Sequence, residues 1–274
     1  MRIDFHKWED YRGCPKKFAL RHIKREPYPV PDNDYPKLYG KTVEKFFELY
    51  CNIWRSKTPY IFPDVIRERL EKIYEGILQH STINWSRGNH TKEEIFEQVV
   101  ADTCAIMDSP NQNYFLNTKS EISIDMTIKG GHVINGRLDF LHYPPMSEDF
   151  IIMDGKGASK MGKHVDKDQL LFYALLCFFQ YKRLPLDLGF FYYRYNTFAP
   201  IQISSDIMNE FRARLSLDIK KMTEPIEHGA TPSAKACQYC NYLSKCPEGL
   251  LAKAQRARKS KIEIEGDGMV EFGF

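Results

Sequence analysis

The sequence predicts a mixed α/β fold, a sheet flanked by helices behind a helical N-terminal section. Three observations predict it. Apolar residues recur at helix spacing through the first part of the chain, to about residue 110. Strand-like alternation then takes over between Glu121 and Asp154. A long apolar helix, two further strands and a last helix complete a core of about 118–222, an order that sets helices against a sheet.

The elements follow in chain order. Tyr11 to Lys24 is a short amphipathic stretch, and the loop after it, PYPVPDNDYP, is too rich in proline, Asn and Asp for regular structure. Tyr39–Trp54 sets Val43, Phe46, Phe47 and Tyr50 at helix spacing. Pro63–Gln79 repeats the pattern with Val65, Ile66, Leu70, Ile73 and Ile77, and proline suits its first turn. Thr91 as N-cap, with Glu94 three residues on, opens a helix to Met107. EISIDMTI, from Glu121 to Ile128, alternates as a strand. Gly130–Gly131 turns it into a second strand, Val133–Tyr143, and Phe150–Asp154 is a third. Val165–Tyr181 is a long apolar helix, Leu188–Tyr195 and Ala199–Ile203 are strands, and Ser205–Met222 is a helix. No internal repeat is visible. Residues 1–258 read as one domain, and 259–274 as a flexible tail or a segment for a protein partner.

Composition narrows the class. Hydrophobic residues are 43% and charged residues 27% of 274, ordinary for a globular chain with a sizeable core. No apolar run reaches the roughly 18 residues of a membrane span. The N-terminus, MRIDFHKWEDYRG, has no apolar centre and does not read as a signal peptide, so an intracellular, cytoplasmic protein is expected. Net charge is only +3, but residues 1–28 hold eight Lys or Arg against four acids, and Lys253 to Lys261 is a second basic run. Two such segments suit phosphate neutralisation, although solvated helix faces have the same composition.

The richest stretch is GRLDFLHYPPMSEDFIIMDGKGASK. Asp139 lies in one strand, and Asp154 and Lys156 end the next. A period of two puts Asp154 and Lys156 on one face with Gly155 turned away. Pairing of consecutive strands brings Asp139 toward that face. Two carboxylates and an ammonium then converge, oxygen ligands suited to Mg²⁺ or Mn²⁺ with a cation to orient an attacking water. A surface salt bridge beside a turn is the alternative. Against it stand the apolar run IIMD before Gly155 and the pair Gln169 and Tyr173, four apart on the following helix.

Seven cysteines without an export signal argue against a disulfide framework. Cys51, Cys104 and Cys177 sit in apolar or helical contexts and read as buried thiols. Cys237, Cys240 and Cys246 form C-x2-C-x5-C in a polar segment, about 230–250, and Cys14 is the remaining cysteine in a basic context. Four thiolates suit Zn²⁺ or an iron–sulfur cluster, and spacing alone does not choose between them.

G-x-x-D at Gly136 and Asp139, an apolar strand ending in Asp154-Gly155-Lys156, and Gln169/Tyr173 together resemble the RecB-like branch of the PD-(D/E)xK nucleases. The resemblance implies a restriction-endonuclease-like sheet and a Mg²⁺- or Mn²⁺-dependent deoxyribonuclease. It implies Asp139, Asp154 and the Gly155 carbonyl as metal ligands, Lys156 beside the attacking water, and Gln169 and Tyr173 positioning the strand to be cut. Relatives carry histidine four residues after a helix-opening glycine. Here Gly40 is followed by Glu44, which either replaces that ligand or is an exposed helix residue. Glu121 opens the first strand where relatives often have an acid.

The lone Cys14-Pro15 with C-x2-C-x5-C after the core is similar to the iron–sulfur subset of that superfamily, the AddB-type recombination domains and CRISPR-adaptation exonucleases. By resemblance, then, a [4Fe–4S] cluster joins the two ends of the chain, and the substrate is single-stranded DNA or duplex ends. Bacteria, archaea or viruses are the implied sources. Two rival readings remain: a non-catalytic DNA-binding recombination subunit, and a zinc-stabilised nucleic-acid-binding module.

Overall fold

A computed structural model describes residues 1–27, 35–57, 61–81, 83, 85, 90–158, 160–162, 165–224, 227–233, 236–237 and 240–255. Most of the proline-rich loop and the whole tail 259–274 lie outside them. The chain divides into two compact units. One is Pro31–Ala213 with Arg2; the other is Met1, Ile3–Val30 and Arg214–Phe274.

Strand β1 is Arg2–Ile3, and α-helices Tyr35–Leu49, Pro63–Gln79, Lys92–Met107 and the short Asn113–Leu116 (α3, α4, α5, α6) precede the other strands of the sheet. The capping box expected at Thr91 is present: its hydroxyl accepts from the Glu94 N–H, and the Glu94 carboxylate accepts from the Thr91 N–H. Strands β2 (Thr118–Thr127) and β3 (Val133–His142) are antiparallel, joined through Gly130 and Gly131 at φ 91° and 73°. Only glycine takes such angles cheaply. Strand β4 (Ile151–Lys156) pairs antiparallel with β3 and parallel with β5 (Asp187–Tyr192), which pairs antiparallel with β6 (Thr197–Pro200). The β4–β5 crossover is helix α7 (Lys167–Tyr181), capped by the Asp166 carboxylate, which accepts from the Asp168 N–H. This is the mixed sheet flanked by helices that the sequence predicts.

The helices meet the sheet through aromatic residues. Phe115 stacks on Phe47 at 4.0 Å and meets Phe140 and Phe191 edge-on at 5.4 and 5.1 Å. All four are buried, each contributing about 1.5–3 kcal/mol by leaving water.

The smaller unit begins with α1 (Phe5–Gly13), capped by Asp4, and α2 (Pro15–Phe18). Trp8 is fully buried and donates from its indole N–H to Asp218, in the helix Ser205–Thr223 (α8) within which the two units divide. Asp10 is buried among Lys17, Arg21 and His22. Burial pushes its carboxyl up, but hydrogen bonds from His22 and Lys17 and the charges of Lys17 and Arg21 outweigh it and hold the group well below the usual carboxylate range.

Several expected boundaries move. The amphipathic stretch from Tyr11 to Lys24 is divided into the end of α1, a break at extended Cys14, α2 and a π-turn Ala19–Ile23, because Pro15 has no N–H with which to continue α1. Helix α3 starts at Tyr35, not Tyr39, since Pro36 falls in the first turn, and its last turn widens to a π-helix at Tyr50–Trp54. Strand β2 starts at Thr118, so Glu121 lies within it and does not open it. Its polar start is held by pairing of Thr118, Lys119 and Ser120 with His142, Leu141 and Phe140. Asp154 lies within β4, which extends to Lys156.

Candidate active site

Helix α3 delivers Glu44. Val43, Phe46 and Phe47 face the core, which leaves Glu44 half-buried on the flank of that face. Its position is set one turn earlier. A β-carbon on Gly157, just past β4, would stand 2.9 Å from the Gly40 α-carbon and 2.9 Å from the Tyr39 ring. Two glycines in contact therefore let the helix backbone settle against the exit of β4.

Strands β2 and β3 supply the next pair. Ser120 faces Phe140 and Ile122 faces Leu138, so Glu121 stands opposite Asp139. Glu121 has φ +56°, a left-handed backbone inside a strand, which costs a non-glycine residue roughly 1–2 kcal/mol. Strain of that kind gathers at functional sites. One oxygen each of Glu44, Glu121 and Asp139 lie within 4.8 Å of one another, the one such group among the described residues. Arg137 Nε holds Glu121 at 2.8 Å, and the Gly155 N–H donates to Asp139 at 3.0 Å.

Asp154, 2% exposed, is ion-paired with Lys156 across Gly155. The Lys156 ammonium also donates to Gln169 Oε1 at 3.4 Å, and Gln169 Nε2 donates to the Tyr173 hydroxyl at 3.2 Å. Lysine, glutamine and tyrosine thus form one hydrogen-bonded row beside the carboxylates. Gly136 makes room for it: a β-carbon there would meet Leu176 at 2.6 Å and the Tyr173 ring at 3.2 Å.

The charges oppose one another. Burial, then the carboxylates of Glu121 and Asp154, push Glu44 up to about 7 against the pull of Arg137 and Lys156. Burial, then Asp154 and Glu44, push Asp139 well above the usual range. Burial would lower Lys156, but the charge and hydrogen bond of Asp154 raise it. Four acids gathered in a half-buried site favour either protonation or a bound cation. Oxygen-only donors suit a hard divalent ion.

Beneath the site lies Tyr193. A β-carbon on Gly155 would stand 1.9 Å from its hydroxyl oxygen, so glycine is required there by packing. Burial, then Glu44, Asp139 and Asp154, push that hydroxyl well above the ordinary tyrosine range.

Cys14, Cys237, Cys240 and Cys246 belong to the smaller unit. Cys14 ends α1, and Cys246 is buried with its thiol pushed up by burial. A β-carbon on Gly249 would lie 3.4 Å from the Cys246 sulfur and 3.6 Å from that of Cys237, so both sulfurs border the space a side chain would fill. Lys16 bridges to Glu248 at 2.8 Å and Tyr242 donates to the Glu26 carbonyl at 3.2 Å, tying the two chain segments of this unit together. Cys51 and Cys177 are buried thiols, as expected, and Cys104 is half-buried.

The geometry thus gathers Glu44, Asp139, Asp154, Lys156, Gln169 and Tyr173, and puts Glu44 in the cluster and not in solvent. It adds Glu121 to the tight carboxylate group and leaves Asp154 outside it, facing Lys156. Arg137, Gly157 and Tyr193 carry no signal in the sequence, because their neighbours come from distant segments.

A family model for the PD-(D/E)XK nuclease superfamily matches residues 5–247. A solved structure described as "Crystal structure of SSO0001" is similar at 15% identity with a TM-score of 0.32, over 86% of this chain and 94% of that one. Among curated proteins, none matches.

Proposed function

Because the chain belongs to the PD-(D/E)XK nuclease superfamily, we propose that it is a Mg²⁺- or Mn²⁺-dependent deoxyribonuclease that hydrolyses phosphodiesters from DNA ends or single strands. The observation that carries this reading is the meeting of Glu44, Glu121 and Asp139 beside the Asp154–Lys156 pair. The carboxylates, with the Gly155 carbonyl, would hold a divalent ion, which supplies Lewis acidity toward water and the scissile phosphate. Lys156 holds the attacking water by its ammonium and is itself held by Asp154 and Gln169. Gln169 and Tyr173 present polar tips to the strand being cut. Arg137 adds a cation at the rim that can meet a phosphate. Such an enzyme would act in recombination, repair, replication or CRISPR-like DNA processing, and the polar N-terminus suits an intracellular, cytoplasmic setting. No described helix is long and apolar enough to cross a membrane.

Cys14, Cys237, Cys240 and Cys246 are proposed to hold a [4Fe–4S] cluster. Their donor set is four soft sulfurs, and Gly249 leaves open the space between two of them. The family match spans segments of both units, in keeping with one nuclease domain over residues 1–258.

The test is cleavage of end-labelled single- and double-stranded DNA with Mn²⁺ or Mg²⁺. Asp154→Ala and Lys156→Ala should abolish cleavage while DNA binding survives. Wild-type rates in both variants would remove these residues from catalysis.

A further inference from the structure

Tyr193 is 1% exposed, and its hydroxyl oxygen has no hydrogen-bond partner among the described residues. A buried, unpaired hydroxyl is destabilising, and phenylalanine would fill the same space without that penalty. Such a group in a native protein calls for an explanation. The ring is firmly placed, parallel to Phe47 (10°, centroids 5.9 Å), next to Phe191 at 6.0 Å, with its tip over Gly155. Phe47 and Glu44 are three residues apart on α3 and so share a side of it. The stack therefore carries the phenol along the flank where Glu44 stands. Of the acids whose charge reaches the hydroxyl, Glu44 acts most strongly, followed by Asp139 and Asp154.

We infer that Tyr193 is a positioning residue of the metal site, its hydroxyl donating a hydrogen bond to the Glu44 oxygen that a bound divalent cation leaves over. This rests on the reading of Glu44 as a metal ligand. Carboxylate ligands are themselves held by outer hydrogen bonds, and losing one typically weakens metal binding by about 10–100-fold. A donor fixed by aromatic stacking would hold Glu44 in one rotamer and so pre-form the site. The role explains why a tyrosine occupies a position whose packing asks only for a ring.

The experiment measures Mn²⁺ affinity by calorimetric titration of the full chain stripped of divalent ions, together with the Tm of the metal-free protein. Tyr193→Phe keeps the stack and removes one oxygen. It should weaken Mn²⁺ binding by about 10-fold or more while the metal-free Tm stays level or rises. Phe115→Leu loosens the same aromatic group without touching the hydroxyl, and should lower Tm while leaving Mn²⁺ affinity unchanged. In a Glu44→Ala background, Tyr193→Phe should add nothing. Weakened binding in Glu44→Ala with unchanged binding in Tyr193→Phe would overturn the inference alone. An equal loss in both backgrounds would also overturn it, since the hydroxyl would then serve another ligand. Unchanged Mn²⁺ affinity in Glu44→Ala itself would take Glu44 out of the ligand set, and the proposed site would fail at that point.

Discussion

Gly157 and Gly40 touch: a β-carbon on Gly157 would come within 2.9 Å of the Gly40 α-carbon, whereas one on Gly40 would stay 3.9 Å from Gly157. The contact is asymmetric, and so is its consequence. Gly157→Ala forces α3 away from β4 and should cost about 1–3 kcal/mol, with weaker divalent-ion binding because Glu44 moves with the helix. Gly40→Ala meets only ordinary contact and, inside a helix, should be neutral or stabilising by up to about 1 kcal/mol. Urea denaturation and Mn²⁺ titration of the two variants check this. Equal behaviour would show that the two backbones do not set the position of Glu44.

Glu121 offers a test of backbone strain. In an ordinary strand, glycine is less stable than alanine. At φ +56° the order should invert, with Glu121→Gly more stable than Glu121→Ala by about 1 kcal/mol. Both variants should lose Mn²⁺ affinity. If the alanine variant proved the more stable by denaturant titration, the left-handed backbone at Glu121 would be discounted.

The raised Glu44 carboxyl makes stability depend on pH. Below the ordinary glutamate value of 4.5, folded and unfolded chains are both protonated there. As pH rises from that value through about 7, the unfolded chain gives up the proton first, so the metal-free protein loses stability across this window. Asp139, also raised, acts in the same sense. The measurable quantity is the Tm of chelator-treated wild type against Glu44→Gln between pH 5 and 8. The wild type should decline more steeply; parallel curves would count against a shifted Glu44.

If the proposed cluster is present, Cys14→Ser should strip iron and sulfide from the purified protein and lower its Tm, since one of the four proposed thiolate ligands is lost. Cys51 is no substitute. Its thiol donates to the Phe115 carbonyl at 3.5 Å inside the larger unit's core and is pushed up to about 12 by burial. Full iron and sulfide content with an unchanged Tm in Cys14→Ser would exclude Cys14 as a ligand.

Residue pattern made much of this legible and left particular parts hidden. Helices α4 and α5 could be read because their apolar spacing and caps are local. Lys156, Gln169 and Tyr173 could be grouped because a strand's period of two and a helix's i, i+4 step are also local. Helix α1 is hard to read although Phe5, Trp8 and Tyr11 are three apart, because buried Asp10 breaks the apolar face and its partners Lys17, Arg21 and His22 lie after the Pro15 break. Glu44 was ambiguous because a residue beside a core face can turn either way. The Gly40–Gly157 contact turns it inward, and that joins segments more than a hundred residues apart. Glu121 was displaced because TKS has no apolar alternation, although its backbone pairs with β3.

The division of the chain has a consequence for how it is made. The smaller unit is built from Ile3–Val30 and Arg214–Phe274, with Pro31–Ala213 threaded between them. On the ribosome, α1 and the Cys14 thiol emerge before that insertion and must wait until the whole of it has been synthesised. At about 5–20 residues per second this is a delay on the order of ten to forty seconds. The larger unit can close during the wait, since all of it but Arg2 lies in that one stretch. The first segment cannot complete its packing, and for that interval Trp8 lacks Asp218, the acceptor of its indole N–H in the finished protein. The segment Ile3–Val30 is therefore the stretch a chaperone would be expected to shield, and translation speed through residues 31–213 sets how long it needs shielding.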